Sequence, residues 1–432
     1  SEGTWPQSPK GEGVADLINT EGLLPSRGSE APILPASPSS SHVRTFGELS
    51  GIRYVYYDYW LGQFNNQLAA LAQAMTLARI FTPNATLVLP PVKLGVESLT
   101  QFQKGREAGS EPLVFRIAGD LLDVDEIKKV LPVVQFDEFQ STTEGRRLSS
   151  SHLCVFDERF PTTPNTSKMI YENTYKLTKI ETFDWKIDGN YCIKYDDRYI
   201  REAINCGQTK DALLLPKTFG GMTANCTDSF PALRKSLVHL IPRKELRRSV
   251  DQLFREIEAP VLGVHIRLIN DAVRNCMKTE GGPAIVIKWM QDQFGSLFDQ
   301  SRSIYVAFNP TDSDLVDIFQ DMKNNFGSSK RVISCKDMVN CGHTRAPWAE
   351  ELNINEYEFI FRNPYSSSLM DMWALASSDE FIGTRGSTFT TNVHRWRKLG
   401  TPELRYGGNE NDRNYTRKDM CICNCGTTQN VH

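Results

Sequence analysis

The sequence predicts an α/β fold of two lobes, each a largely parallel sheet flanked by helices. Two stretches carry this. Near residue 52 an aromatic and β-branched run leads into a Gly/Asn segment, an Ala-rich helical run and a second β-type run. From residue 242 to residue 398 short apolar β-type runs alternate with helical runs. A strand, loop, helix, strand succession is a βαβ unit, and such units imply parallel pairing. At 432 residues the chain has room for two such lobes and a short further segment, on a prior of roughly 150 residues per domain.

Taken in order, residues 1–50 are rich in Ser, Pro, Gly and Glu, with Pro35-Ala36-Ser37-Pro38-Ser39-Ser40-Ser41 as an extreme. Such composition buries too little apolar surface to offset ordering entropy, so a flexible stem is expected. No hydrophobic anchor precedes it, and any membrane attachment is expected only through an N-terminal anchor missing from this sequence. Ile52-Arg53-Tyr54-Val55-Tyr56-Tyr57 reads as a strand. Gly62-Gln63-Phe64-Asn65-Asn66-Gln67 reads as the loop after it, residues 68–80 as a helix, and Thr86-Leu87-Val88-Leu89-Pro90 as the next strand. Between about 95 and 240 the periodicity is weak, and no element is predicted. Then follow a helix over 242–258, a strand over 261–267, a helix over 284–297 and a strand over 303–308. A helix capped at Thr311-Asp312 and a strand over 331–334 come next. A helix over 366–378, a strand over 380–383 and a helix over 387–398 close the series. The division expected is a stem (1–50), an N-terminal Rossmann-like lobe (51–245), a C-terminal Rossmann-like lobe (246–420) and a Cys-rich tail (421–432), the lobes facing each other across a cleft.

Composition excludes several classes. With 49 Lys plus Arg against 52 Asp plus Glu, the net charge of −3 lacks the basic excess of a general nucleic-acid binder. The 23% charged and 40% hydrophobic content is that of a globular chain rather than a disordered one. No apolar run approaches the length of a membrane-spanning helix. Ten cysteines and four Asn-x-Ser/Thr acceptors, at Asn84, Asn165, Asn225 and Asn414, together point to the secretory pathway. The tail Cys421-Ile422-Cys423-Asn424-Cys425 has neither C-x-x-C spacing nor a second ligand pair, so disulfide anchoring is expected there rather than zinc.

Three segments carry candidate chemistry. Gly62, Phe64, Asn65 and Asn66 lie between a strand end and a helix start, where backbone N–H groups and the helix dipole favour an anionic or polar ligand. Asn and Gly also cap helices with no ligand present. His265 and Arg267 sit at the carboxyl end of a strand, two residues apart and so on one face. A guanidinium there suits a diphosphate, being planar, always charged and bidentate. The competing reading pairs Arg267 with Asp271. Ser387, Thr388 and Phe389 open the last helix after Gly383, a second place for phosphate oxygens. Asp371 lies on the mostly apolar helix just upstream, and a carboxylate accepts two hydrogen bonds side by side, as a guanine offers them. No G-x-G-x-x-G occurs, which removes the main support for a dinucleotide oxidoreductase.

In this order and spacing, three motifs resemble those of the protein O-fucosyltransferases. They are Gly62-x-Phe64-x-Asn66-Gln67 with Thr86–Pro91, Val264-His265-Ile266-Arg267 with Asp271 and Cys276, and Asp371 through Phe389 with Asp379-Glu380-Phe381-Ile382-Gly383. The resemblance implies the GT-B fold and a luminal, metal-independent enzyme that uses GDP-fucose and inverts the linkage. It requires no cofactor. It implies that Arg267 holds the β-phosphate and that Asn66 lies near the donor sugar and phosphates. His265 and Asp371 would meet the ribose or guanine, and Ser387, Thr388 and Phe389 the phosphate and ribose. The C-terminal lobe would then hold the nucleotide sugar and the N-terminal lobe the acceptor. Gln63 and Asn65 replace a basic residue and a glycine common in that loop, and the Glu of some relatives is absent, with Asp58 the only nearby substitute. The acceptor is thus a protein or a glycan, and the stem resembles those of Golgi enzymes more than a soluble enzyme of the endoplasmic reticulum. Two other functions compete: a transferase of another nucleotide sugar, rhamnosyl-type included, and a catalytically silent luminal binding protein.

Overall fold

The computed structural model describes residues 52–57, 64–81, 84–92, 115–116, 119–149, 153–158, 180–185, 212–215 and, with short interruptions, 236–399 and 418–420. The expected stem and Cys-rich tail lie outside the described residues.

The first half runs β1 (Tyr54–Tyr57), α1 (Phe64–Phe81), β2 (Thr86–Leu89), β3 (Pro91–Val92), β4 (Phe115–Arg116), α2 (Val124–Lys128), β5 (Val133–Gln135), α3 (Phe136–Ser141), α4 (Thr143–Ser149), β6 (Leu153–Glu158), β7 (Ile180–Trp185) and β8 (Ala212–Leu215). Strands β5-β2-β1-β8-β6-β7 form one sheet in that order, with every pairing parallel. β3 and β4 pair separately and antiparallel. α1 begins at Phe64, four residues before the predicted start at 68. Its first-turn N–H groups have no intrahelical partner in any helix, so Asn65 and Asn66 forfeit nothing there, and the alanines beyond propagate the helix. Val55 and Tyr57 of β1, with Leu87 and Leu89 of β2, pack in one cluster with Leu68, Leu71 and Met75 of α1. The Tyr54 and Tyr56 rings meet Phe139 of α3 at 4.5 and 6.2 Å.

The second half runs α5 (Lys244–Glu256), β9 (Val261–His265), α6 (Ala284–Gln300), β10 (Ser303–Ala307), α7 (Ser313–Phe326), β11 (Arg331–Ile333), α8 (Ile354–Phe361), α9 (Ser366–Ser377), β12 (Glu380–Thr384), α10 (Thr388–Leu399) and β13 (Asp419–Met420). The sheet order is β11-β10-β9-β12-β13, again wholly parallel. The predicted alternation is present; α8 and β13 are additions to it. The strand predicted over 261–267 ends at His265, which leaves Arg267 just beyond the sheet.

Period-two alternation builds the layers. Leu262, Val264, Ile304, Val306 and Ile382 share a cluster with Val286, Met290, Ile318 and Met322 of α6 and α7. Val261, Tyr305 and Phe381 belong to the other cluster, with Leu369, Met372 and Trp373 of α9 and Val393 and Trp396 of α10. Arg397 locks α10 to the end of α9 by donating to the carbonyls of Leu375 (3.2 Å), Ala376 (3.1 Å), Ser378 and Asp379 (3.0 Å). The Leu375 and Ala376 carbonyls are among those that a helix end leaves without partners, and a cation suits that end of the dipole. The halves are stitched where residues 121–123 meet 241–247. Arg243 N–H reaches the Leu121 carbonyl (2.8 Å), Asp123 N–H that of Ile241 (3.0 Å), and Arg247 the Asp123 carboxylate (3.3 Å). After β11 a Cys335–Cys341 disulfide closes a loop. Inside it Asn340, at φ 63°, bonds Ser249 Oγ (3.1 Å) and accepts from Ala346 N–H (2.9 Å).

Candidate active site

In the second sheet the chain steps from β9 outward through β10 and β11, then returns to place β12 on the other side of β9. In the first it steps from β1 through β2 to β5, and the later strand β8 fills the other side of β1. Each central strand therefore borders a topological switch point. Open α/β sheets bind ligands outside the carboxyl ends of the strands there. The predicted motifs occupy these places: Phe64 and Asn65 open the helix after β1, His265 ends β9 with Arg267 just beyond it, and Ser387 to Phe389 follow β12.

His265 is buried. Its ring stacks on Phe389 (centroids 4.3 Å apart, 19° between planes) and its Nδ1 lies 2.8 Å from Thr390 Oγ1. Burial, reinforced by the Arg267 charge, lowers its pKa from 6.5 to about 3, so the imidazole is neutral. Thr390 reaches it because Gly383 has no side chain. A Cβ there would stand 2.1 Å from Thr390 Cγ2, so only glycine lets α10 lie this close to β12. Arg267 is exposed, and its backbone N–H donates to Thr384 Oγ1 (3.0 Å). The Thr384 hydroxyl donates in turn to the His265 carbonyl (2.9 Å).

Ser387 immediately precedes α10. Its hydroxyl is fully buried with no hydrogen-bond partner among the described residues. Buried polar atoms usually find a partner, and at a helix start an anion is one group that can supply it. Thr388 and Phe389 form the first turn, half-buried. From the other lobe, Phe64 is buried against Tyr365, the rings stacked at 5.1 Å. The Asn65 carbonyl accepts from Asn392 Nδ2 (3.2 Å). The first turn of α1 thus rests on the second turn of α10. Two helix starts with their positive dipole ends, and the exposed Arg267 guanidinium just beyond the neighbouring strand end, bring positive charge to one place.

Asp371 on α9 is nearly buried. The Tyr305 hydroxyl donates to its Oδ1 (2.5 Å), and Oδ2 has no hydrogen-bond partner among the described residues. Burial raises the carboxyl from 3.8 to about 7, the Tyr305 hydrogen bond acting against it. The Tyr305 hydroxyl is pushed well above 10 by burial and by the carboxyl.

The structure thus groups His265, Arg267, Ser387, Thr388 and Phe389, brings Phe64 and Asn65 onto α10, and sets Asp371 against Tyr305 of β10. Gly62, Asp58, Asp271 and Cys276 lie outside the described residues. Asn66 lies in α1, but its side chain is not among those described. Sequence reasoning missed Thr384, Thr390, Asn392 and Tyr305. One signal was available: Tyr305 lies in a run of buried apolar residues, and a phenol there needs a partner.

No curated protein sequence matches the chain. The fold is similar to crystal structures of POFUT1 in complex with GDP-fucose (13% identity, 86% of this chain and 98% of that one, TM-score 0.50) and in complex with GDP (13%, 85% and 98%, TM-score 0.50). A more remote likeness is to the fucosyltransferase NodZ from Bradyrhizobium (15%, 81% and 93%, TM-score 0.41). The pattern of the family described as GDP-fucose protein O-fucosyltransferase matches residues 54–399. With most of its length inside that match, and two parallel sheets as its frame, the chain belongs to the GDP-fucose protein O-fucosyltransferase family and is a fucosyltransferase of the GT-B fold.

Proposed function

We propose that the protein transfers fucose from GDP-fucose, with inversion and without a metal ion, to a hydroxyl of a protein or glycan in the secretory lumen, the Golgi before the endoplasmic reticulum. The observation that carries the reading is the convergence of Arg267, the start of α10 with a Ser387 hydroxyl that no described residue partners, and the start of α1. In the step proposed, the acceptor oxygen attacks the anomeric carbon while the bond from that carbon to the β-phosphate oxygen breaks, its electron pair staying on the diphosphate. The acceptor's proton passes to the departing diphosphate or to water. Arg267 and the helix N-terminus meet the charge that develops on the leaving group, which is where preorganised donors contribute most. That placement also supports the metal-free reading, since the compensating charge comes from the protein.

Asn66 is assigned to the donor's sugar–phosphate end from the resemblance, and Gly62 to substrate binding as part of the same motif. Thr388 and Phe389 are assigned to phosphate and ribose. His265, being neutral, offers hydrogen bonding rather than charge. Asp371 has Oδ1 taken by Tyr305, which leaves Oδ2 to accept from the ribose or guanine. For the lumen, support comes from the ten cysteines, the four glycosylation acceptors and the Cys335–Cys341 disulfide. Calorimetry with GDP, GDP-fucose, UDP and ADP in the presence of chelator tests the donor. Selective binding of the guanine nucleotides is expected. Preference for UDP or ADP, loss of GDP binding on chelation, or no binding at all would each overturn the reading.

A further inference from the structure

We propose that Thr384 is a positioning residue for Arg267, acting through the backbone and without touching the ligand. β9 ends at His265. On its β10 side the chain is still held, Ile266 N–H donating to the Ala307 carbonyl (3.0 Å). On its β12 side the last paired residues are Val264 and Ile382. Beyond them a side chain replaces the ladder. The Thr384 hydroxyl accepts from Arg267 N–H (3.0 Å) and donates to the His265 carbonyl (2.9 Å). One hydroxyl thereby fixes the peptide groups on both sides of Ile266, and with them the point from which the guanidinium projects. Thr384 is itself buried, and its carbonyl accepts from Ser387 N–H (3.3 Å). Arg267 and the start of α10 are therefore both referenced to the same residue. The long Arg side chain gives reach but no orientation; orientation has to come from where its backbone is held.

The inference rests on assigning Arg267 to the β-phosphate, so the test separates the two. The readout is the ratio of GDP to GMP affinity by calorimetry, because GMP lacks the β-phosphate and shares the rest of the nucleotide. Thr384→Val keeps the shape and removes the hydroxyl; Thr384→Ala removes it with less bulk, should the valine variant not fold; Thr384→Ser restores it. The expected result is a loss of the GDP preference on the order of ten-fold in the valine and alanine variants, with the serine variant close to the parent. In an Arg267→Ala background, which has already lost the preference, adding Thr384→Val changes the ratio no further. If Arg267→Ala keeps the preference, the β-phosphate assignment falls and the inference with it. If Arg267→Ala loses the preference but Thr384→Val keeps it, the assignment stands and the inference is wrong. Equal weakening of GDP and GMP by Thr384→Val would make Thr384 merely structural and also overturn it.

Discussion

Replacing Asp371 by Asn should make the protein more stable at neutral pH while weakening its hold on GDP. Burial keeps the Asp371 carboxyl protonated up to a pH of about 7, against 3.8 for an ordinary one. Between those values the folded chain keeps a proton that the unfolded chain has released, so stability falls as the pH rises through the interval and levels off above it. At about 1.4 kcal/mol per pH unit the interval is worth roughly 4 kcal/mol, an upper limit because the group is not wholly dry. Asn keeps the shape and an oxygen for the Tyr305 hydroxyl, but has no proton to lose. Urea unfolding of both proteins should give similar midpoints near pH 4, with the variant ahead by an amount approaching that limit near pH 8. Asn also puts an N–H₂ where Oδ2 stood, facing rather than accepting a guanine's donors, so GDP affinity should drop about ten-fold or more. In the parent, GDP should bind more tightly as the pH rises through about 7, since donors on the ligand favour the carboxylate; the variant should lose that dependence. Stability curves that run parallel in the two proteins would refute the account of a neutral buried acid. Unchanged GDP affinity would refute the ligand contact while leaving that account intact.

Arg267→Ala should leave the fold intact and lower the release of GDP from GDP-fucose by on the order of 100-fold or more; Arg267→Lys should fail similarly, because one ammonium cannot make the bidentate contact. Gly383→Ala puts a methyl where Thr390 Cγ2 would be 2.1 Å away, so unfolding midpoints should report a loss of about 1–3 kcal/mol and calorimetry a weaker GDP site, partly recovered by adding Thr390→Ser. His265 should show no imidazole titration by proton NMR between about pH 8 and 5. Because its folded value lies below its unfolded one, its contribution to stability is complete above pH 6.5 and is lost as the pH falls toward about 3.

What was legible in the sequence and what was not follow from one physical distinction. Elements whose identity is set by their own residues could be read: the β9 to α10 alternation shows because buried parallel strands are short continuous apolar runs broken by amphipathic helices. The same rule hid β8, since Ala212-Leu213-Leu214-Leu215 is as good a helix turn as a strand until neighbours β1 and β6 are in place. The site divides in the same way. Arg267 and His265 could be named because their chemistry is intrinsic to the side chain and the end of a strand is a meaningful address. Thr384 and Thr390 could not, because an isolated Thr has no role until a partner is supplied from more than 100 residues away. Gly383 lies between these cases. Its position before a Ser/Thr-rich helix start was part of the recognised motif, yet its reason, the approach of Thr390 to His265, exists only between α10 and β12. The motif's fixed spacing is thus the trace in one dimension of a contact made in three. The residues left silent by that spacing are those to substitute first when asking how the site is held.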